Sequence, residues 1–298
     1  MHERVTIPGY PELAADLYLP PHTHQPVPAV LTAPGFGGVK EMLIPHFARA
    51  LAQAGIATLA VDYAGFGQSQ GEPRQDVEPQ RQIQDLRRAL DWLARAPRID
   101  PHRLGFVGTS MSGAHALVLA GTDPRLRAVV TMVPFVRAPR TPPSRQVAAA
   151  LVVDTLRRLV GRPSHTIAAA GPPGSTAVMT TDGALAWIDD IAANAPSFRN
   201  AVTVRSLAHV ASYQPMRMVG ARGISVPVRA ILSTSDTITP AALARKALRH
   251  LDCDIIELPG THFELFGRYL DQVTRSTVEW LVQHLRPSAQ AESDTRWS

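Results

Sequence analysis

The sequence has little of what several classes of protein depend on. A single cysteine, Cys253, excludes an intramolecular disulfide and a metal cluster built from cysteine alone. No apolar stretch reaches the roughly 20 residues that a membrane-spanning helix needs, so we expect no membrane partner. Residues 1–10 include Glu3 and Arg4 and no apolar run, which argues against a secretory signal and predicts a cytoplasmic protein.

Lysine and aromatic residues are also scarce, although the chain is basic overall. The 298 residues carry a formal net charge of +5, yet only Lys40 and Lys246 among the 30 basic residues are lysines, and aromatic residues make up 6%. Nucleic-acid-binding proteins cluster basic side chains on one face and interleave them with aromatic rings. The scattered arginines therefore predict that nucleic acid is not a partner.

Short apolar runs alternate with amphipathic segments along most of the chain. Most of these runs lack a polar alternation, which is typical of strands covered on both faces: Ala29–Ala33, Ile56–Val61, Leu104–Val107, Ala128–Val133, Val228–Leu232 and Asp254–Leu258. The segments between them have helical spacing, so the order predicts an α/β fold with a mostly parallel sheet between helix layers. Residues 11–19 alternate instead and predict antiparallel strands at one edge.

A long segment between two of the predicted strands departs from this rhythm. Residues 137–225 are rich in proline and glycine at their joints and contain three helix-like stretches. Because long structureless loops are uncommon in compact domains, we expect a helical cap inserted into a core of residues 1–136 and 226–286, followed by a flexible tail at 287–298. Four aromatic residues are candidates for lining a pocket beneath the cap: Phe135, Trp187, Phe198 and Tyr213.

The strongest local motif places a serine between a buried strand and a helix. The strand Leu104–Val107 leads into Gly108, Thr109 and Ser110, and then into Met111, Ser112 and Gly113. Small residues on either side allow a tight turn that exposes the hydroxyl, and the amide of Met111 at the helix start can stabilise an oxyanion. With the strand ending at Gly108, Ser110 lies in the turn and Ser112 in the first helical turn, pointing away from the cleft.

This motif resembles the nucleophile elbow of the α/β-hydrolase superfamily, and the chain resembles bacterial capped esterases and dienelactone-hydrolase-like proteins. Ser112 stands where the superfamily's Gly-x-Ser-x-Gly pattern has its second glycine. The resemblance implies a mostly parallel eight-stranded sheet with helices on both faces and an inserted helical cap. In the superfamily's chain order of serine, acid and histidine, Asp236 and His262 follow the last two strands and match the acid and the base. The amide of Phe36 matches the second oxyanion donor.

These residues predict a serine hydrolase that cleaves a carboxylic ester or a related activated acyl bond through an acyl-Ser110 intermediate. His262 would act as the base and Asp236 would orient it, so no cofactor or metal is expected. A thioesterase, a lactone or polyketide hydrolase and a Pro-specific peptidase remain open, because the cap carries no recognised motif. A non-catalytic ligand-binding protein on the same fold is disfavoured, since all three residues are present. The expected partner is a small ester-like substrate, and a homodimer is left open.

Overall fold

A computed structural model of the protein describes residues 2–21, 25–138, 145–219 and 223–285, apart from the Arg158 side chain. Within these ranges the strands are β1 (His2–Ile7), β2 (Leu13–Tyr18), β3 (Val27–Ala33), β4 (Ala57–Val61), β5 (Ile99–Thr109), β6 (Leu126–Met132), β7 (Thr166–Ile167), β8 (Val202–Thr203), β9 (Val228–Ser233) and β10 (Cys253–Leu258). The α-helices are α1 (Ile44–Gln53), α2 (Pro79–Leu93), α3 (Ser110–Thr122), α4 (Arg145–Leu159), α5 (Ala184–Ala192), α6 (Ser206–Ser212), α7 (Pro215–Met218), α8 (Ala241–Leu248) and α9 (Leu270–His284). None of the helices in these ranges is both long and apolar enough to cross a membrane.

Eight of the strands form one sheet in the order β1-β2-β4-β3-β5-β6-β9-β10. Strand β2 pairs antiparallel with β1 and with β4, and the remaining pairs are parallel. The predicted α/β fold with a mostly parallel sheet is confirmed, and the antiparallel edge lies where residues 11–19 alternate. The strand order reverses at β3, which has β4 on one side and β5 on the other. Open α/β sheets bind ligands at the carboxyl ends of strands at such a reversal.

Helices cover both faces of this sheet. On one face α1 and α9 pack against the strands, and Phe47, Val107 and Leu281 belong to one buried cluster. On the other face α2 and α3 pack against the strands, with Phe106 and Leu117 in a second cluster. Because successive residues of a strand point to opposite faces, Phe106 and Val107 serve different layers. Burying one such side chain stabilises the fold by about 1.5–3 kcal/mol.

The segment between β6 and β9 holds α4 to α7 and the short antiparallel pair β7 and β8. Polar contacts attach it to the core. The Glu41 carboxylate accepts hydrogen bonds from the Ser197 amide (3.0 Å) and hydroxyl (2.7 Å), and Arg205 donates to Asp76 at 2.6 Å. The helices α4 to α7 lie in the segment for which three helical stretches were predicted, whereas the strands β7 and β8 were not predicted. The predicted tail at 287–298 lies outside the described residues.

Candidate active site

Ser110 lies at a sharp reversal between β5 and α3. The strand continues to Thr109, one residue beyond the predicted end at Gly108, and the helix begins at Ser110 itself, so the turn is tighter than predicted. The backbone φ of Ser110 is +53°, in the left-handed region that non-glycine residues seldom adopt. Strain of this kind costs on the order of 1–3 kcal/mol and persists where the surrounding structure enforces it.

The neighbours of Ser110 explain why this turn needs small residues. A Cβ added to Gly108 would lie 2.3 Å from the carbonyl oxygen of Ser112, so a side chain at this position would collide with the backbone of the elbow. Ser112 is fully buried, and its hydroxyl donates to the Thr109 carbonyl (3.0 Å) and accepts from the Thr109 amide (2.9 Å). Ser112, which stands where the superfamily has glycine, therefore stabilises the end of β5 through these two hydrogen bonds.

Asp236 and His262 lie side by side in the loops that follow β9 and β10. Nδ1 of His262 donates to Oδ2 of Asp236 at 2.6 Å, and both residues are buried. The amides of Ile238 and Thr239 each donate to Oδ1 of Asp236 at 2.8 Å. Burial acts to raise the pKa of Asp236, but the hydrogen bond and charge of His262 and the contacts from Thr239 outweigh it and hold the pKa below its ordinary value.

Thr239 is a further neighbour of this pair. It lies one residue before Pro240, the residue that precedes α8. The Thr239 hydroxyl lies 2.8 Å from Oδ2 of Asp236, 2.9 Å from the carbonyl oxygen of Val133 and 3.2 Å from Nδ1 of His262. Its single proton is therefore shared between the Asp236 carboxylate and the Val133 carbonyl at the end of β6. In the sequence, the spacing of three residues between Asp236 and Thr239 is the only feature that indicates this contact.

Ser110 and His262 line one cavity of about 830 Å³, counting its open mouth. The inserted segment contributes Trp187 and Phe198, two of the four predicted pocket residues, and Trp187 packs on Phe263 with ring centroids 4.9 Å apart. Sequence reasoning missed many of the other residues that line it, among them Thr32, Met42, Leu43, Ile44, Phe47, Val107, Phe263 and Phe266 from the core and Ala169, Met179, Ile188 and Ile191 from the inserted segment. Helical spacing can predict that one face of a helix such as α1 is buried, but it cannot show that the face borders a cavity.

The other two predicted pocket residues, Phe135 and Tyr213, do not line this cavity. Their rings stack on each other with centroids 6.1 Å apart and an interplanar angle of 1°. The Tyr213 hydroxyl lies 2.8 Å from Nδ1 of His115, beneath the elbow helix. Both aromatic residues are buried in the core cluster because their rings fill the space between α3 and the inserted segment.

The loop between β3 and α1 brings a backbone amide near the elbow. Gly35 and Phe36 line the cavity, and a Cβ on Gly35 would lie 3.4 Å from the Thr109 carbonyl oxygen. Met111 is the second residue of α3, and the first amides of a helix have no acceptor within the helix. The two predicted oxyanion donors, Phe36 and Met111, thus belong to the two backbone segments that flank Ser110.

Comparisons with known proteins agree with this fold. The profile of the X-Pro dipeptidyl-peptidase family (S15) matches residues 9–140. The polyketide transferase af380 of Aspergillus fumigatus is 30% identical over 267 residues, which are 86% of this chain and 87% of the relative. A thiohydrolase of Eupenicillium brefeldianum is 30% identical over 220 residues, 72% of this chain and 71% of the relative. The crystal structure of the α/β hydrolase GrgF from a Penicillium species superposes with a TM-score of 0.83 at 21% identity, covering 96% of this chain and 99% of that one.

The chain belongs to the α/β-hydrolase family. It is a hydrolase. The superposition extends over the sheet and the inserted segment alike, because it covers nearly all of both chains. The same superposition shows that the similarity in fold continues beyond residue 140, where the match to the S15 family ends.

Two further buried groups of this α/β hydrolase hold the scaffold around the site. Nε2 of His115 lies 3.0 Å from Oε1 of Gln82, and burial lowers the pKa of His115 to about 3, so this imidazole is neutral at ordinary pH. Asp62 accepts from the amides of Lys40 (2.7 Å) and Gln68 (3.0 Å), and burial raises its pKa to about 6. Both groups are engaged within the core, away from the cavity that Ser110 and His262 line.

Proposed function

We propose that Ser110, His262 and Asp236 act as a catalytic triad and that the chain hydrolyses a carboxylic ester through an acyl-Ser110 intermediate. The observation that carries this proposal is the hydrogen bond between Asp236 and His262, whose ring lines the same cavity as the strained Ser110. A neutral serine hydroxyl needs a nearby base, and an oriented imidazole is the usual one. The low pKa of Asp236 keeps its carboxylate charged during the reaction.

Each residue has a defined part in the proposed reaction. His262 Nε2 removes the hydroxyl proton as the Ser110 oxygen attacks the ester carbonyl, and the amides of Phe36 and Met111 stabilise the negative oxygen that forms. The protonated His262 then gives its proton to the departing alkoxide, which leaves as the alcohol. A water molecule repeats the sequence on the acyl-serine and releases the acid. Asp236 stabilises the imidazolium and fixes Nδ1 as the protonated nitrogen.

The cavity favours an uncharged substrate. Among its described lining residues none is Asp, Glu, Lys or Arg, and the polar side chains are limited to Thr32, Thr109, Ser110 and His262. A dipeptidyl-peptidase has to accommodate the ammonium group of a free N-terminus, and a buried cation is costly without a carboxylate partner. We therefore prefer an ester to a peptide, although the profile that matches residues 9–140 is that of a peptidase family. We further propose that the inserted segment is a cap, since Trp187 and Phe198 of this segment line the cavity.

A thioester is the second candidate substrate, because a relative that is 30% identical is named a thiohydrolase. The acyl-serine intermediate is the same for both substrates, and only the leaving group differs. Comparing kcat/KM for an oxygen ester and a thioester of one acyl group separates the two. A higher value for the thioester, after correction for its intrinsic reactivity, would reassign the function.

The proposal is tested by locating the nucleophile. A serine-directed fluorophosphonate should label the protein once, and mass spectrometry should place the adduct on Ser110. Ser110→Ala should lose at least about a thousandfold in turnover, as is typical of removing a nucleophile. Ser112→Ala is the matched control, because it removes a neighbouring hydroxyl of the same elbow, and it should still be labelled. An adduct on Ser112, or full activity in Ser110→Ala, would overturn the assignment.

A further inference from the structure

The cavity at Ser110 extends inward along one face of the sheet. Thr32 on β3, Val107 on β5 and Phe47 on α1 line it, and each is at most 6% exposed. Val107 and Phe47 belong to the cluster between the sheet and the layer of α1 and α9. Thr32 faces the same layer, because it lies two residues after Val30 of that cluster. Thr32 and Val107 lie farther from the carboxyl edge of the sheet than the other lining residues of β3 and β5, so together with Phe47 they mark the inner end of the cavity.

The position of Val107 sets the depth of this inner end. Val107 precedes Ser110 by three residues of extended strand, which corresponds to about 10 Å at a rise of about 3.3 Å per residue. With carbon–carbon bonds near 1.5 Å, an extended hydrocarbon gains roughly 1.3 Å per carbon along its length. A chain of about six to eight carbons attached at Ser110 would therefore reach Val107 and Phe47.

The acyl half of the substrate is the half that suits a closed pocket. The leaving group has to depart before water reaches the acyl-serine, so its side of the site must open to solvent. The acyl group stays attached to Ser110 through both steps and has no need of an exit until the end. Because the inner end is walled by buried core residues, a leaving group held there would be trapped between the two steps.

We propose that the space bounded by Thr32, Phe47 and Val107 is an acyl pocket for an uncharged, apolar chain of about six to eight carbons, and that Val107 and Phe47 set the length of that chain. The inference rests on the proposed function, since it takes Ser110 as the point of attachment. Neither the names of the relatives nor the motifs of the sequence indicate a chain length, so the dimension comes from the cavity.

The test is the dependence of kcat/KM on acyl length, measured with p-nitrophenyl esters from acetate to dodecanoate. Each buried methylene should raise kcat/KM by about fourfold until the pocket is full. The parent protein should show a maximum at six to eight carbons and a decline beyond it. Val107→Leu adds a methylene at the inner end and should move the maximum to a shorter chain. Phe47→Leu removes ring volume and should move it to a longer one.

Val30→Leu is the matched control for both variants. Val30 is fully buried in the same cluster and on the same sheet face, but it is not among the described residues that line the cavity. It should leave the position of the maximum unchanged. Acetate is an internal standard, because its acyl group is too short to reach the inner end, and its kcat/KM should stay within about twofold in every folded variant.

A length profile without a maximum in the parent protein would overturn the proposal, and so would an unchanged maximum in both pocket variants. If Val107→Leu fails to fold, the length profiles of Phe47→Leu and of the parent protein still test the acyl pocket. Acetate hydrolysis and fluorophosphonate labelling of Ser110 show whether the proposed function itself holds. Both signals together with a flat profile would refute the acyl pocket alone, whereas loss of both in the parent protein would refute the proposed function as well.

Discussion

Replacing Gly108 with alanine should disable the elbow while changing no group that takes part in the proposed chemistry. The added Cβ would lie 2.3 Å from the carbonyl oxygen of Ser112, 2.6 Å from its carbonyl carbon and 2.8 Å from the amide nitrogen of Gly113. A Cβ contact becomes ordinary only beyond 3.4 Å, and all three atoms are backbone atoms of the elbow helix. The start of α3 therefore has to retreat by about 1 Å.

A displacement of this size can be converted into an expected loss of rate. Misplacing a reacting group by about 1 Å costs on the order of 100-fold in rate. Ser110 begins the helix that has to move, so we expect kcat/KM of Gly108→Ala to fall by about that factor. The assay pairs hydrolysis of a p-nitrophenyl ester with the rate at which a fluorophosphonate labels Ser110, and both should fall together. Thermal melting establishes that the variant is folded.

A second glycine provides the control for this substitution. Gly55 has a φ of +84° and has no atom within 4 Å of an added Cβ, so Gly55→Ala introduces backbone strain without a collision. It should cost about 1–2 kcal/mol of stability and leave the labelling rate unchanged. A folded Gly108→Ala protein that retains more than a third of the parent activity would show that the elbow has room for a side chain, and the steric reasoning would be wrong.

Three further predictions concern the residues around the elbow. Asp236→Asn should lower kcat by about 10⁴-fold in ester hydrolysis, because an amide cannot hold His262 in the required tautomer; a loss below tenfold would remove Asp236 from the triad. Ser112→Ala should lose about 1–2 kcal/mol of unfolding free energy, since two hydrogen bonds to Thr109 disappear, and urea denaturation measures this. His115→Gln should flatten part of the pH dependence of stability. Because the folded protein lowers the pKa of His115 from 6.5 to about 3, the unfolded chain binds the proton first, and parent stability should fall by up to about 1.4 kcal/mol per pH unit as pH drops below 6.5. Parallel stability profiles of parent and variant between pH 7 and pH 5 would contradict this.

The sheet and the order of the site residues could be predicted because both depend on local patterns. Apolar runs of five or six residues without alternation indicate strands covered on both faces, and β4 and β9 are such strands. Asp236 and His262 follow strands that are parallel, so their loops meet at one edge of the sheet. The sequence distance of 26 residues between them is bridged by the parallel pairing of β9 with β10.

The aromatic residues of the pocket could not be predicted in the same way. Phe135 and Trp187 are both large apolar residues near the inserted segment, and composition does not say which face of the segment each occupies. Tyr213 contacts His115, which is 98 residues away in the sequence, and a periodic pattern of residues cannot predict such a contact. The two-residue strands β7 and β8 are also too short to produce an alternating pattern. Long-range packing decides all of these positions.

Two strained residues at neighbouring strand ends connect the backbone of Ser110 to that of Asp236. Val133, just beyond β6, has a φ of +40°, which is rare for a β-branched residue, and Ser110, just beyond the adjacent β5, has a φ of +53°. The Ser110 carbonyl accepts from the Phe135 amide at 3.0 Å, and the Val133 carbonyl faces the Thr239 hydroxyl at 2.9 Å. Because Thr239 also contacts Asp236, a relaxed Val133 would turn its carbonyl away and release that hydroxyl. The strain at the end of β6 therefore helps to orient the carboxylate that holds His262.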